Sequence, residues 1–173
     1  MKIETERLEL IVLDVRQLRL WTENMAALEA ELNCVYDAEP MEDAFLTIVK
    51  GQLAVTEKDA ANTAWHSFWW IIRKEDRKVI GSADFKAPPE NGAAEIGYGL
   101  GAAYEHHGYM TETVEAMCRW AFSHPAVNAV IAETATDNLP SQRVLRRCGF
   151  AEYERGKTVW WKREKTECTV LDI

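Results

Sequence analysis

The spacing of apolar residues changes several times along this chain, and each change predicts an element. Alternation from Arg7 to Leu13 predicts a first strand. Asp14 can cap a helix carrying Leu18, Trp21, Met25 and Leu28 at helical spacing. Pro40 precedes a second helical pattern with Met41, Phe45, Ile48 and Val49, and the polar run TEKDAANTA reads as a loop. SFWWII (Ser67–Ile72) is apolar on both faces, as a buried strand requires, and the polar turn KEDRK joins it to VIGSADF in a hairpin. The two prolines of APPENG remove backbone donors, so the sheet resumes only at AAEIGYGL.

Gly108 opens a helix whose residues Val114, Met117, Cys118, Ala121 and Phe122 form one apolar stripe; Pro125 ends it. NAVIAETAT is a fifth strand. A short helix runs from its cap Asn138 to Gly149, a left-handed terminator. FAEYER and TVWWKREK follow as two strands joined at Gly156. The expected fold is mixed α/β: a single, mostly antiparallel sheet of about seven strands flanked by about four helices, in one domain spanning 1–173.

Composition agrees with one globular domain: 47% of residues are hydrophobic and 28% charged. The 20 basic and 28 acidic residues leave a formal net charge of -8, which repels nucleic-acid phosphates and tolerates amine or basic-peptide substrates. A mildly acidic surface also serves solubility alone. Cys34, Cys118, Cys148 and Cys168 form no CxxC pair and share no metal-ligand spacing with the four histidines. No metal site is expected, and the cysteines indicate a reducing compartment. The N-terminus lacks a signal pattern and no run is long enough to span a membrane, so a cytoplasmic location is expected.

Three stretches suggest chemistry. On a strand, Glu95, Gly97 and Gly99 share one face, so two absent side chains leave a slot beside a carboxylate. A bulged strand with a solvent-facing Glu95 accounts for the same residues. GYGLG is not a dinucleotide fingerprint, because its third glycine comes one residue early and no helix starts there. In EHHGYMTE, Gly108 allows close backbone approach and the following helix offers free N–H groups to an anion. His106 and His107 line that loop, and either can touch a phosphate. In DNLPSQRVLRRCGF, Asn138 caps the helix and Ser141 either closes its first turn or faces a cleft. Arg143, Arg146 and Arg147 can meet a phosphate, though a solvated face suits at least two of them. The adjacent pairs Trp69/Trp70 and Trp160/Trp161 diverge on strands, which leaves one of each free to line a substrate cleft. The combined reading is a site for a phosphate-bearing cofactor.

The ordered series ETERLEL, WWIIRKEDRKVIGSADF, AEIGYGL, GYMTETVEAMCRWAF and DNLPSQRVLRRCGF resembles the GNAT acetyltransferase superfamily. More narrowly it resembles its RimJ/RimL-type ribosomal-protein N-acetyltransferases. The resemblance covers nearly the whole chain and implies acetyl-CoA as acetyl donor. It further implies that the fourth and fifth strands splay apart around the pantetheine arm, and that the loop from Glu105 to Met110 holds the pyrophosphate. The family pattern in that loop is Gln or Arg, two variable residues, Gly, one variable residue, then Gly or Ala. Here only Gly108 matches well; Glu105 and Met110 depart, which sets a carboxylate and extra bulk against the cofactor. The implied cofactor-binding residues are Tyr98, Gly99, Leu100, His106, His107, Gly108, Tyr109, Met110, Thr111, Asn138 and Ser141.

Many relatives carry a Tyr acid seven residues after the Asn; that position is Leu145 here, in agreement with the RimJ/RimL group, and the resemblance implies that the Ser matching Ser141 helps there. Glu95 is the implied base and Glu133 the second choice. Backbone N–H groups from Tyr98 to Leu100 would polarise the thioester carbonyl. The expected activity is acetyl transfer to a primary amine, foremost a protein or peptide N-terminal α-amino group, by a monomer or homodimer. The alternatives are an acetyltransferase for a small amine (an antibiotic, polyamine or amino acid) and a non-catalytic acyl-CoA-binding module, the latter favoured by Glu105 and Met110.

Overall fold

The computed structural model describes residues 1–166; Cys168 lies outside them. The strands are β1 (Lys2–Glu4), β2 (Leu8–Val12), β3 (Val35–Tyr36), β4 (Phe68–Arg73), β5 (Lys78–Phe85), β6 (Ala93–Leu100), β7 (Ala129–Ala135), β8 (Ala151–Arg155) and β9 (Thr158–Glu164). The helices are α1 (Val15–Glu23), α2 (Met25–Leu32), α3 (Asp43–Lys58), α4 (Thr63–His66), α5 (Tyr109–Phe122) and α6 (Leu139–Arg147). The strands form one sheet in the order β1–β2–β4–β5–β6–β7–β9–β8, and β3 pairs with the start of β5. Every pairing along that order is antiparallel except β6–β7, which is parallel.

The fold class is the one expected, with more elements than the sequence suggested. Two short strands, β1 and β3, raise the count to nine. The first helix is two helices. Asn24 ends α1 and caps α2 at once, its side chain accepting from the Ala27 N–H at 3.2 Å. Asparagine competes for backbone hydrogen bonds and so breaks helices as readily as it starts them. The polar run read as a loop continues α3 to Lys58 and then forms a 3₁₀ turn and α4. Glu and Lys are good helix formers, so polarity alone did not mark a loop there. Asp14 caps α1 as expected, in a capping box with Gln17. Helix α5 stops at Phe122, before Pro125.

Helices cover both faces of the sheet. Against one face Trp21, Leu18 and Leu28 pack on Phe68, Trp70 and Ile72. Against the other Val114, Met117, Cys118 and Ala121 of α5 pack on Trp69, Ile71, Phe85 and Ile96. Trp69 and Trp70 are therefore both core residues with no exposed surface, and neither lines a cleft. Trp161 is likewise buried, its indole N–H donating to Thr134 Oγ1 at 3.0 Å, while Trp160 is half-buried. Cys34, Cys118 and Cys148 are buried free thiols; burial pushes Cys118 and Cys148 up to about 12, which keeps them protonated. Among the described residues no helix is long and apolar enough to cross a membrane.

Candidate active site

The site begins where the sheet fails to close. β6 and β7 pair only from Ala93 to Glu95 and from Ala129 to Ile131, although both strands continue. Beyond Glu95, β6 pairs with β5 alone, and beyond Ile131, β7 pairs with β9 alone. In an antiparallel ladder the polar groups of successive residues point to alternate edges. The Lys86 N–H donates to the Glu95 carbonyl at 3.0 Å, and the Gly101 N–H to the Ile80 carbonyl at 2.8 Å. The odd residues of β6 thus serve β5. Ile96, Tyr98 and Leu100 turn their N–H and C=O groups into the wedge.

A cleft of about 310 Å³ opens from this wedge. Its lining joins Tyr98, Gly99 and Leu100 of β6 to His106, Gly108, Tyr109, Met110 and Thr111 of the loop and α5, and to Ser141 of α6 and its cap Asn138. Ten of the eleven residues implied by the resemblance thus meet in one cavity. His107 does not line it: its carbonyl accepts from Arg7 Nη1 at 2.8 Å and its ring leans on Tyr109.

The two helix N-termini differ. On α6, the Asn138 side chain accepts from the Ser141 N–H at 3.2 Å, and Pro140 has no N–H to offer. On α5, the cap is Gly108 and no side chain caps the first turn. Tyr109, Met110 and Thr111 line the cleft, and as the first turn of a 14-residue helix they carry N–H groups with no partner within the helix and its positive end behind them. His106 and Gly108 both hold positive φ, 65° and 79°, which bends the loop around this helix start. Opposite stand Arg143 and Arg147, one turn apart on α6 and both in the lining. Arg146 instead lies over the Trp161 ring at 4.9 Å. An acidic protein has thus collected cationic side chains and free N–H groups around one cavity, which suits an anionic ligand. Glu105 and Met110 also line it.

Ser141 Oγ donates to the Tyr98 phenol at 2.9 Å, and the phenol donates to the Ser141 carbonyl at 3.2 Å. Burial pushes the Tyr98 phenol up, against a smaller opposing effect of the Ser141 hydrogen bond, so it stays protonated. Leu145 is fully buried in the core and offers nothing to the cleft.

Glu95 lies on the other face of the sheet, the one packed by α1–α3. Burial pushes its carboxyl above the ordinary value; Lys86 opposes this, and Glu133 and Asp84 add to it. Glu133 is exposed on the matching face of β7. The slot over Gly97 and Gly99 is half filled. A Cβ on Gly97 would lie 2.5 Å from Lys86 Nζ and 2.6 Å from Asp84 Oδ1, whereas one on Gly99 would meet only Glu39, at 3.8 Å. Asp84 is a buried carboxylate, paired with Lys86 Nζ at 3.1 Å. Neither its burial nor its place beside Gly97 was visible in VIGSADF. The sequence reading also left out Arg7, which touches the loop from a distance of about a hundred residues.

The acetyltransferase (GNAT) domain family matches residues 13–151. The uncharacterized N-acetyltransferase YjdG of Bacillus subtilis (strain 168) is 28% identical over 149 residues, 86% of this chain and 88% of that protein. Among solved structures, RimL, a ribosomal-protein α-N-acetyltransferase in complex with coenzyme A, has a TM-score of 0.64 at 20% identity, covering 95% of this chain and 98% of its own. A microcin self-immunity acetyltransferase, MccE, in complex with acetyl-CoA and AMP, has a TM-score of 0.63 at 17% identity, covering 93% and 94%. These structures share the fold, the family match runs through β4–β7 and both cleft helices, and the chain belongs to the GNAT acetyltransferase family.

Proposed function

We propose that this protein transfers acetyl from acetyl-CoA to a primary amine, and that the amine is the N-terminal α-amino group of a peptide or protein. The uncapped start of α5, facing Arg143 and Arg147 across the cleft, carries the reading. It offers a diphosphate three backbone donors, a helix dipole and two guanidinium groups. Two family relatives of known structure hold CoA or acetyl-CoA, which supports the same donor here. The Tyr98 and Leu100 N–H groups then border the thioester carbonyl and stabilise the negative charge that develops on it.

The acceptor approaches from the α1–α3 face, where Glu95 and Glu133 stand on either side of the wedge and attract a cationic amine. The amine must lose a proton to attack. An α-amino group, with pKa of roughly 7.7–8.0, requires less help than a lysine near 10.4. Glu95 takes that proton directly or through water. The amine nitrogen bonds to the acetyl carbon, the carbon–sulfur bond breaks, and the thiolate leaves. Ser141, whose hydroxyl lines the cleft and is hydrogen-bonded to Tyr98, can turn its proton to the departing sulfur. Thiolates leave without an acid at neutral pH at tolerable cost, so this help is secondary.

The test is CoA release from acetyl-CoA with a panel of N-terminal peptides and a panel of small amines, with products read by mass spectrometry. N-terminally acetylated peptides are expected. Turnover of small amines alone would overturn the acceptor assignment. No CoA release with either panel would leave a binding module. A saturating CoA thermal shift checks the donor separately: at a hundred times its Kd, a ligand adds about 2.7 kcal/mol.

A further inference from the structure

We infer that Arg7 is a positioning residue for the donor site: it clamps the loop before α5 into the shape that receives a pyrophosphate. The inference rests on the acetyl-CoA reading above. Arg7 sits in the turn between β1 and β2, about a hundred residues from the loop. Its Nε donates to Glu112 Oε2 at 2.7 Å and its Nη1 to the His107 carbonyl at 2.8 Å. Its backbone N–H donates to Glu112 Oε1 at 2.9 Å, and the Thr5 hydroxyl donates to the same oxygen at 2.5 Å. Its guanidinium lies 4.5 Å from the centre of the Tyr109 ring. One side chain thus touches the loop, the first residue of α5 and the first turn of α5.

Each contact has a consequence for the cleft. His107 lies between two residues with positive φ, a conformation costly for His106 and maintained only by its surroundings. In a trans peptide the N–H points opposite to the C=O. Drawing the His107 carbonyl toward Arg7 therefore turns the Gly108 N–H away from Arg7, and Gly108 borders the cleft. Glu112 places a carboxylate near the site of an anion. Burial alone would raise that carboxyl, but the Thr5 hydroxyl and the Arg7 backbone and guanidinium outweigh burial and lower it. Arg7 thus supplies the countercharge that keeps Glu112 from opposing the phosphates.

The experiment compares two donors, acetyl-CoA and S-acetylpantetheine, which lacks the pyrophosphate, on wild type, Arg7→Met and Arg7→Lys. Arg7→Met should raise the Kd for CoA and the KM for acetyl-CoA at least about tenfold, the worth of one hydrogen bond to a charged group. The kcat at saturating acetyl-CoA and the kcat/KM for S-acetylpantetheine should stay within about twofold, since the chemistry is untouched. Arg7→Lys keeps the charge and cannot span Glu112 and the His107 carbonyl together, so it should fall between; it also carries the test if Arg7→Met does not fold. Equal CoA affinity in the variants and wild type would overturn the clamp. So would equal losses on both donors, which would mark Arg7 as a general structural residue. A wild type that binds no CoA would overturn both this inference and the donor reading beneath it.

Discussion

Gly97→Ala tests how the polar group beside Glu95 is built. The new methyl would lie 2.6 Å from Asp84 Oδ1, 2.5 Å from Lys86 Nζ and 2.9 Å from Lys86 Cε. The Lys86 side chain is 47% exposed and can swing into solvent; that of Asp84 is 4% exposed and cannot. The pair therefore separates, and Asp84 loses its cation. Overpacking costs about 1–3 kcal/mol. Stranding a buried charge costs about 3–5 kcal/mol, a figure reduced here because protonation offers Asp84 a way out. A loss of about 3 kcal/mol at pH 7 is expected, or about 6–12 °C in Tm for a chain of this size. The loss should depend on pH. Burial raises the Asp84 carboxyl and Lys86 pulls it back. A group whose folded value is raised makes the native state bind more protons, so stability grows as pH falls through the window above the ordinary value of 3.8. Without Lys86 that value rises further and the window widens. Urea unfolding at pH 7 and pH 5 should show the difference from wild type shrinking at pH 5. Lys86→Met should reproduce the pH-dependent part without the steric part. A loss below about 1 kcal/mol, or one independent of pH, would refute this account.

Gly108→Val forces a β-branched residue to φ 79°, a strain of at least roughly 1–2 kcal/mol, and should weaken CoA binding more than it slows turnover of bound donor; calorimetric titration of CoA checks it. Glu95→Gln should lower acetyl transfer by roughly 10²–10⁴-fold with little change in CoA affinity. In wild type the raised carboxyl places the acid limb of the pH–rate profile above the ordinary Glu value, and that limb should vanish in the variant; activity within a few-fold of wild type removes Glu95 from the mechanism. Replacing both Arg143 and Arg147 with Ala should weaken CoA binding and flatten its dependence on ionic strength, measured as Kd between low and high salt; an unchanged salt slope would show that neither charge reaches the ligand.

What the sequence made legible was local. The apolar stripe of α5, the Asn138 cap and the strands from SFWWII to NAVIAETAT all follow from short-range spacing; that the last two lie side by side does not. The one-sided view of the tryptophans failed for a non-local reason. Both faces of β4 are roofed by helices, so Trp69 and Trp70 are both core, and no spacing within WW tells one roof from two. Arg7 and Asp84 were missed on similar grounds. ETER carries no sign that its arginine reaches residue 107, and Asp84 reads as an ordinary solvent-facing alternation until Gly97 is seen to make room for it. His106 and His107 are equivalent in the sequence, two loop residues before a helix, but the left-handed residues on either side of His107 turn its carbonyl toward Arg7.

The early end of the β6–β7 ladder places two unpaired strand margins in the middle of the protein. Margins of that kind normally lie at the rim of a sheet, where they invite another chain to add itself and must be guarded by charge, proline or a twist. The outermost strands of this sheet, β1 and β8, are of the usual sort, and short. The interior pair is guarded by confinement. The wedge narrows to the paired residues Ala93–Glu95 and Ala129–Ile131, and α5 and α6 line one side of it, so another chain's strand finds no outer rim to extend. The hydrogen-bonding capacity that would make an exposed margin an aggregation hazard is thus held inside a cleft, where it can serve a bound molecule without extending the sheet.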